Sequence, residues 1–350
     1  MIVQDVITHL EALAPLTYAE EFDNVGLLVG DKNSELTGVL VTLDTLEAVV
    51  EEAIENQCNL IVSFHPIIFK GLKKITGKTY VERVLIKAIE HKIAIYAIHT
   101  ALDNAFEGAN AGLCDLLGLK NKAVLIPQAG TIKQLSTYVP EKNADAVRTA
   151  LFESGAGSIG NYDNCSFNSP GTGTFKGNKN SNPVIGEKHI LQKVTETKIT
   201  ISFAKHLEND ILKTLFSSHP YEEVAYEVMT LENKNQHIGM GMIGQLEQPM
   251  DGTSFLDFIK NRLNCSSIRH SALLETSIQK VAVLGGSGSF AIEAAKSAGA
   301  DAFITADLKY HDFFSAENKL ILVDVGHYES EQHIKNILVA HLKKKITNFA

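Results

Sequence analysis

The stretch LTGVLVTLDTLEAVVEEAIENQCNLIVSFHP, residues 36–66, decides the fold. LTGVLVTLD is a short, nearly unbroken apolar run of the kind that a strand buried on both faces requires. TLEAVVEEAIENQ then spaces its apolar residues three and four apart, the helical period, and CNLIVSFHP returns to a continuous apolar run. Strand, helix and strand in this order predict a crossover between parallel neighbours. Downstream, KTYVERVLIKAIEHK (78–92) adds a second helix and IAIYAIHT (93–100) a third strand. The βαβαβ series predicts a parallel sheet covered by helices on both faces. The last third repeats the style. QKVAVLGGSGS (279–289) is strand and turn, SFAIEAAKSAGA (289–300) a helix, ADAFITAD (300–307) and KLILVDVGH (319–327) strands, and SEQHIKNILVAHLKKK (330–345) a closing helix.

The middle differs. KQLSTYVPEKNADAVRTALFESGAG (133–157) predicts a strand then a helix. A tract rich in Gly, Asn, Ser and Pro follows, from Gly155 to about Pro183, with no helical signal. HILQKVTETKITISF (189–203) alternates apolar and polar residues as half-buried strands do. LENDILKTLFSSHP (207–220) is helical and AYEVMTL (225–231) a strand. Two β-α-β halves suit a ferredoxin-like sandwich. The expected organisation is an α/β core of two pieces, 1–129 and 233–350, with parallel-rich sheets flanked by helices, interrupted by an α+β insert at 130–232.

At 350 residues, 45% hydrophobic, the chain has material for about two domains with sizeable cores. A net charge of -9 argues against broad binding to a nucleic-acid backbone. Cys58, Cys114, Cys165 and Cys265 form no CxxC pair and read as reduced thiols. The start, MIVQDVITHLEALAP, is amphipathic and lacks a basic segment followed by an apolar one, so no secretory signal is expected. No apolar run approaches the roughly 20 residues of a membrane span. The expected location is the cytoplasm, with no membrane partner.

Nearly every expected core strand ends in a residue able to do chemistry: Asp44, His65, His99 with Asp103 just beyond, Asp307, and His327. Ligands of open parallel sheets bind outside the carboxyl ends of the strands, so imidazoles and carboxylates are expected together at one sheet edge. Asp44, standing before TLEAVVEEA, reads as a helix cap. His327 and Glu331 share a face if a helix begins there, although Glu331 is also a natural first-turn acid. His99 and Asp103 repeat the spacing, and Asp103-Asn104 is also a turn former. A set of His65, Asp103, His327 and Glu331 suits Zn²⁺ first, with Mn²⁺ or Fe²⁺ also suited. GGSGS (285–289) lacks the third glycine of a dinucleotide fingerprint and the lysine of a P-loop, and reads as a tight turn. His219 reads as a turn histidine.

The segments EEFDNVGLLVG (20–30), SFHPIIFKGLKKI (63–75), AIHTALDNAFEGAN (97–110), SHPYEEVAYEV (218–228), ITADLKYHD (304–312) and VDVGHYESE (323–331) together resemble the GTP cyclohydrolase 1 type 2 homolog family, also called NIF-three-like proteins. The resemblance covers essentially the whole chain, including an insert similar to the PII/CutA-like domain of longer bacterial members. It implies a toroidal homohexamer and a two-metal site formed by a His-His pair, an Asp, a later His and a Glu. Carried over, these are His65 as the second His of the pair, Asp103, His327 and Glu331. At the first His of the pair this chain has Phe64, which cannot ligate, so one tight metal and a weak or absent second are expected.

A metal-dependent hydrolase-like protein acting on a nucleotide or other phosphorylated small molecule follows as one reading. His99, Asp307 and His311 are its acid–base candidates, with orientation of the ligands as their competing role. The other readings are a non-enzymatic metal-binding or regulatory protein, in which the insert senses a ligand or partner, and a partner-binding scaffold.

Overall fold

Strands β1 (Gly26–Val29), β2 (Val39–Thr42), β3 (Leu60–Ser63) and β4 (Ala94–Ala97) form a first sheet in the order β1-β4-β3-β2. The computed structural model describes residues 1–346. β2, β3 and β4 are parallel, with Val39 opposite Leu60 and Leu60 opposite Ala94. Every residue of β3 and β4 is buried, which is why both read as continuous apolar runs. The crossover helices are Glu47–Glu55 and Tyr80–Glu90. Their Val50, Ala53, Val84 and Leu85 pack with Ile61 and Ile95 on one face. Leu60, Val62 and Phe64 turn to the other face, into a core shared with the helices Val3–Leu13 and Ile334–Lys345. Strand alternation therefore sends Phe64 inward and leaves His65 at the sheet end.

β5 (Lys120–Gln128) leads away from this sheet. The chain folds as two compact units, Met1–Pro127 with Gln236–Ala350, and Gln128–Asn235. The second contains β6 (Ile132–Pro140), helix Ala144–Glu153, β7 (Phe167–Lys176), β8 (Leu191–Ala204), helix Glu208–Ser218 and β9 (Tyr226–Leu231). Its antiparallel sheet has the order β7-β8-β6-β9, and Leu135, Val139, Ile199 and Ile201 pack with Val147, Leu151, Ile211 and Leu215 of the two helices. β7 arises inside the Gly/Ser/Pro-rich tract, where local patterning carries no strand signal; it is held by pairing with β8 from Phe167 to Lys176.

β10 (Asn235–Met250), β11 (Arg269–His270), β12 (Ile278–Ser287), β13 (Ala302–Ala306) and β14 (Ile321–Asp324) build, with β5, a sheet of order β11-β14-β13-β12-β10-β5. Here β12, β13 and β14 are the parallel strands. Helix Gly252–Arg262 covers one face through Phe255 and Ile259, and helix Ile292–Ser297 the other through Ile292 and Ala295. The expectation of one sheet edge is thus corrected: the parallel strands lie in two sheets. β1 pairs antiparallel with β4 and occupies an edge that a continuing parallel series needs. Among the described residues, no helix is long and apolar enough to cross a membrane.

Candidate metal centre

The carboxyl ends of the two parallel strand sets meet. β3 delivers His65 and β4 runs into the short helix His99–Asn104. From the other sheet, β13 ends before Asp307 and β14 leads through Gly326, at φ +94°, into the helical turn His327–Glu331. The turn places His327 and Glu331 on one face, as their spacing predicts. His65, His327 and Glu331 offer ligand atoms that all lie within 4.8 Å of one another. Oε2 of Glu331 is 3.3 Å from His65 Nε2 and 3.2 Å from His327 Nε2.

That oxygen is buried in a side chain only 4% exposed, and neither imidazole reaches it with good hydrogen-bond geometry. Such a carboxylate oxygen is held by the protons on the two imidazoles, or by a cation that takes the place of those protons. Gly286 completes the enclosure. It has φ +67°, and a Cβ there would lie 2.5 Å from Glu331 Oε1 and 3.3 Å from His327 Nε2. Its amide donates to Ser330 Oγ at 3.0 Å. The turn at 285–289 is therefore a tight turn, as expected, and also a wall of the site.

Each imidazole is turned by a carboxylate on its Nδ1. Asp44 Oδ1 lies 3.0 Å from His65 Nδ1, and Asp307 Oδ2 lies 2.7 Å from His327 Nδ1. A carboxylate on Nδ1 fixes the ring and directs Nε2 toward a ligand, the usual outer support of metal-binding histidines. Asp44 is not the helix cap it was expected to be. Leu46 occupies that position, and Asp44 is instead drawn to the imidazole at the next strand end. Asp307 adopts φ +58°, uncommon for a residue with a side chain, and also accepts from the Ser287 hydroxyl.

His99 pairs the same way with Asp23, Nδ1 to Oδ1 at 2.9 Å. Burial opposes the charge on Asp23, but hydrogen bonds from His99 and from the Thr100 hydroxyl and amide outweigh it and bring the carboxyl to about 2. The His99 ring centroid is 5.2 Å from that of His65. Asp23 lies within a quoted motif but was not among the site residues expected from sequence; its partner is 76 positions away, so no local pattern links them.

Asp103 is buried one turn beyond His99. Burial, then the nearby Glu331 carboxylate, push its carboxyl well above the ordinary range, while His65 and His327 pull the other way. It lies within electrostatic reach of the cluster, outside the tight group of three. His65 is held protonated to about 10: burial disfavours the charge, and the hydrogen bond to Asp44 and the Glu331 carboxylate more than reverse this. Glu331 first and Asp307 next do the same for His327, to about 9 against the cost of burial. His311 is exposed, its ring against Tyr310 and Phe314. Phe64 is fully buried, 4.9 Å from the His65 ring and 5.5 Å, edge-on, from His99.

The family model for Duf34/NIF3 (NGG1p interacting factor 3) matches residues 1–350. The chain is 40% identical to the GTP cyclohydrolase 1 type 2 homolog of Bacillus subtilis over 327 residues, 93% of this chain and 88% of that one. It is 40% identical to the protein of the same name from Halalkalibacterium halodurans, over 98% of this chain and 91% of that one. In structure it is similar to a Bacillus cereus protein related to NIF3, with a TM-score of 0.84 and 37% identity over 99% of this chain and 94% of that one. Matched along its whole length and sharing its fold with such relatives, the chain belongs to the Duf34/NIF3 family.

Proposed function

We propose that this chain binds a divalent cation through His65, His327 and Glu331, with Asp103 beside them, and acts as a metal-dependent hydrolase on a nucleotide or other phosphorylated small molecule. The observation that carries the reading is the buried Glu331 Oε2, without a hydrogen bond between two carboxylate-held imidazoles. Nitrogen and carboxylate donors suit zinc first, then manganese or iron. When bound, such a cation acidifies water and polarises the bond to be cleaved. The chain's own residues do the rest. Asp44 and Asp307 hold the two imidazoles with Nε2 inward. Asp23 holds His99 through Nδ1, leaving a ring nitrogen beside the site to accept or return a proton. In this reading Asp307 orients, and His311 stands aside with Tyr310.

Protein purified without a His-tag should carry about one divalent metal per chain, and a screen of nucleotides should give turnover that Glu331→Ala abolishes. Metal without turnover would remove the hydrolase and leave a metal-binding or regulatory protein. Metal affinity should also rise with pH. In the metal-free chain His65 and His327 keep their protons to about 10 and about 9, so a cation must displace them. Chelator competition between about pH 6 and pH 8 should show at least a roughly tenfold gain per unit. A flat profile would exclude the imidazoles as ligands.

Phe64 makes the cation count one rather than two. The ring fills a core position fully, with Leu60, Val62 and Tyr96 around it. Phe64→His should raise metal content toward two per chain and lower stability by about 2–3 kcal/mol, the order expected when a buried aromatic is lost to a smaller polar ring. Two tight ions in the unmodified protein would contradict this count.

The same reading includes a ring of six copies, carried over from the family resemblance, and a ferredoxin-like, PII/CutA-like insert. The β-α-β-β-α-β order and the β7-β8-β6-β9 sheet support the ferredoxin-like part. Light scattering should give six times the chain mass; a monomer would refute the ring.

A further inference from the structure

The unit Gln128–Asn235 holds a cleft of about 660 Å³. The paired strands β7, rich in glycine, and β8, with Glu196 and Lys198, line it together, and Tyr221 lies on its border. The glycines create it. A Cβ at Gly173 would fall 2.0 Å from Glu196 Oε2, so only glycine lets that carboxylate lie across β7. A Cβ at Gly171 would meet nothing within 4 Å, because the space beside it is open.

Glu196 is 7% exposed. Its Oε1 accepts from the Tyr221 hydroxyl at 2.7 Å, while Oε2 lies against the Gly173 position of β7. Lys198, two positions along the same strand face, does not neutralise it; the ammonium lies over the Tyr138 ring, 5.6 Å from the centroid. A largely buried carboxylate held by one hydroxyl keeps acceptor capacity, which a donor arriving from the cleft can fill. Around it aromatic and aliphatic side chains alternate with polar ones. Phe175 and Tyr221 meet edge to face at 5.7 Å, and Val184 and Ile185 also line the cleft. Concave, largely apolar walls with a few placed polar groups are the usual form of a small-molecule site, and Glu196 is the most buried of the charged groups here.

We infer that this cleft binds a flat aromatic or heteroaromatic molecule whose edge carries a cationic or paired N–H donor, read by Glu196. The inference stands apart from the metal centre. A carboxylate accepts two parallel N–H bonds from an amidine-like edge, and the aromatic walls pack against the ring. The selectivity is by charge: an aromatic acid of the same size meets Glu196 as a like charge.

The test uses the full-length protein with benzamidine as probe and benzoate as its acidic counterpart, by calorimetric titration. Benzamidine should saturate one site per chain, and benzoate should not bind. Glu196→Gln, which keeps an acceptor for Tyr221, should weaken benzamidine at least tenfold without altering metal content. Val184 is 62% exposed and borders the cleft, so Val184→Trp should block it with an unchanged melting temperature even if Glu196→Gln folds poorly. Failure to saturate, equal binding of benzoate, or unweakened binding in the Val184→Trp protein would each overturn the assignment.

Discussion

Glu331→Gln should empty the proposed metal centre. The substitution keeps the shape of the side chain and removes its charge, at the one group that faces both His65 Nε2 and His327 Nε2. Glu331 is ionised below the ordinary carboxylate range because, against burial, His327 and His65 hold its charge. A neutral amide presents either a weaker acceptor or an N–H directed at nitrogens that must themselves donate electron pairs. Metal affinity should fall by more than the 10–100-fold typical of an outer supporting residue, leaving metal content below about a tenth of that in the unmodified protein. The readout is elemental analysis together with thermal unfolding. A ligand at about 1,000 times its dissociation constant adds about 4 kcal/mol to stability, so the unmodified protein should melt several degrees lower in chelator. For Glu331→Gln the two curves should coincide. Full metal content in a folded variant would place the cation elsewhere.

Gly286→Ala should have the next largest effect, through the addition of a single methyl group. Two penalties combine. At φ +67° a side chain costs about 1–2 kcal/mol in backbone strain. The new Cβ also lies 2.5 Å from Glu331 Oε1, closer than carbon and oxygen can approach. The carboxylate must swing away, while the turn carrying it stays tied by the hydrogen bond between the Gly286 amide and Ser330. Affinity for metal should drop by about 100-fold, as for loss of a strong supporting contact, with the fold retained. Gly71→Ala is the control, since a Cβ there meets nothing within 4 Å. Unchanged metal affinity in Gly286→Ala would show that Glu331 Oε1 takes no part in holding the ion in place.

Much of the architecture was legible because it is written in short-range patterns. The apolar runs at β3, β4, β13 and β14 are strands buried on both faces, β12 is buried through its centre and β2 is half-buried, and the helical spacing between them dictates parallel crossovers. His65, His99, Asp307 and His327 could be singled out because each follows such a run, where a parallel sheet presents its carboxyl ends. The four-residue spacing of His327 and Glu331 became one turn of helix, as a periodicity argument demands.

What the tertiary structure decided is which groups meet. Local pattern cannot say which strands share a sheet, and the parallel strands divide between two sheets whose ends converge on one cluster. Asp44 reads locally as a helix cap; only its approach to His65, 21 positions on, makes it the carboxylate that turns a ligand. Asp23 reaches His99 across 76 positions, and Gly286 lies against Glu331 from a turn that sequence marks only as tight. β7 has no strand signal of its own and exists because β8 offers it a ladder. Propensity and periodicity act within a few residues, so they determine elements and where those elements end. Hydrogen bonds and charges act through space at about 3 Å, so the partners that tune this site were settled only when the chain had folded.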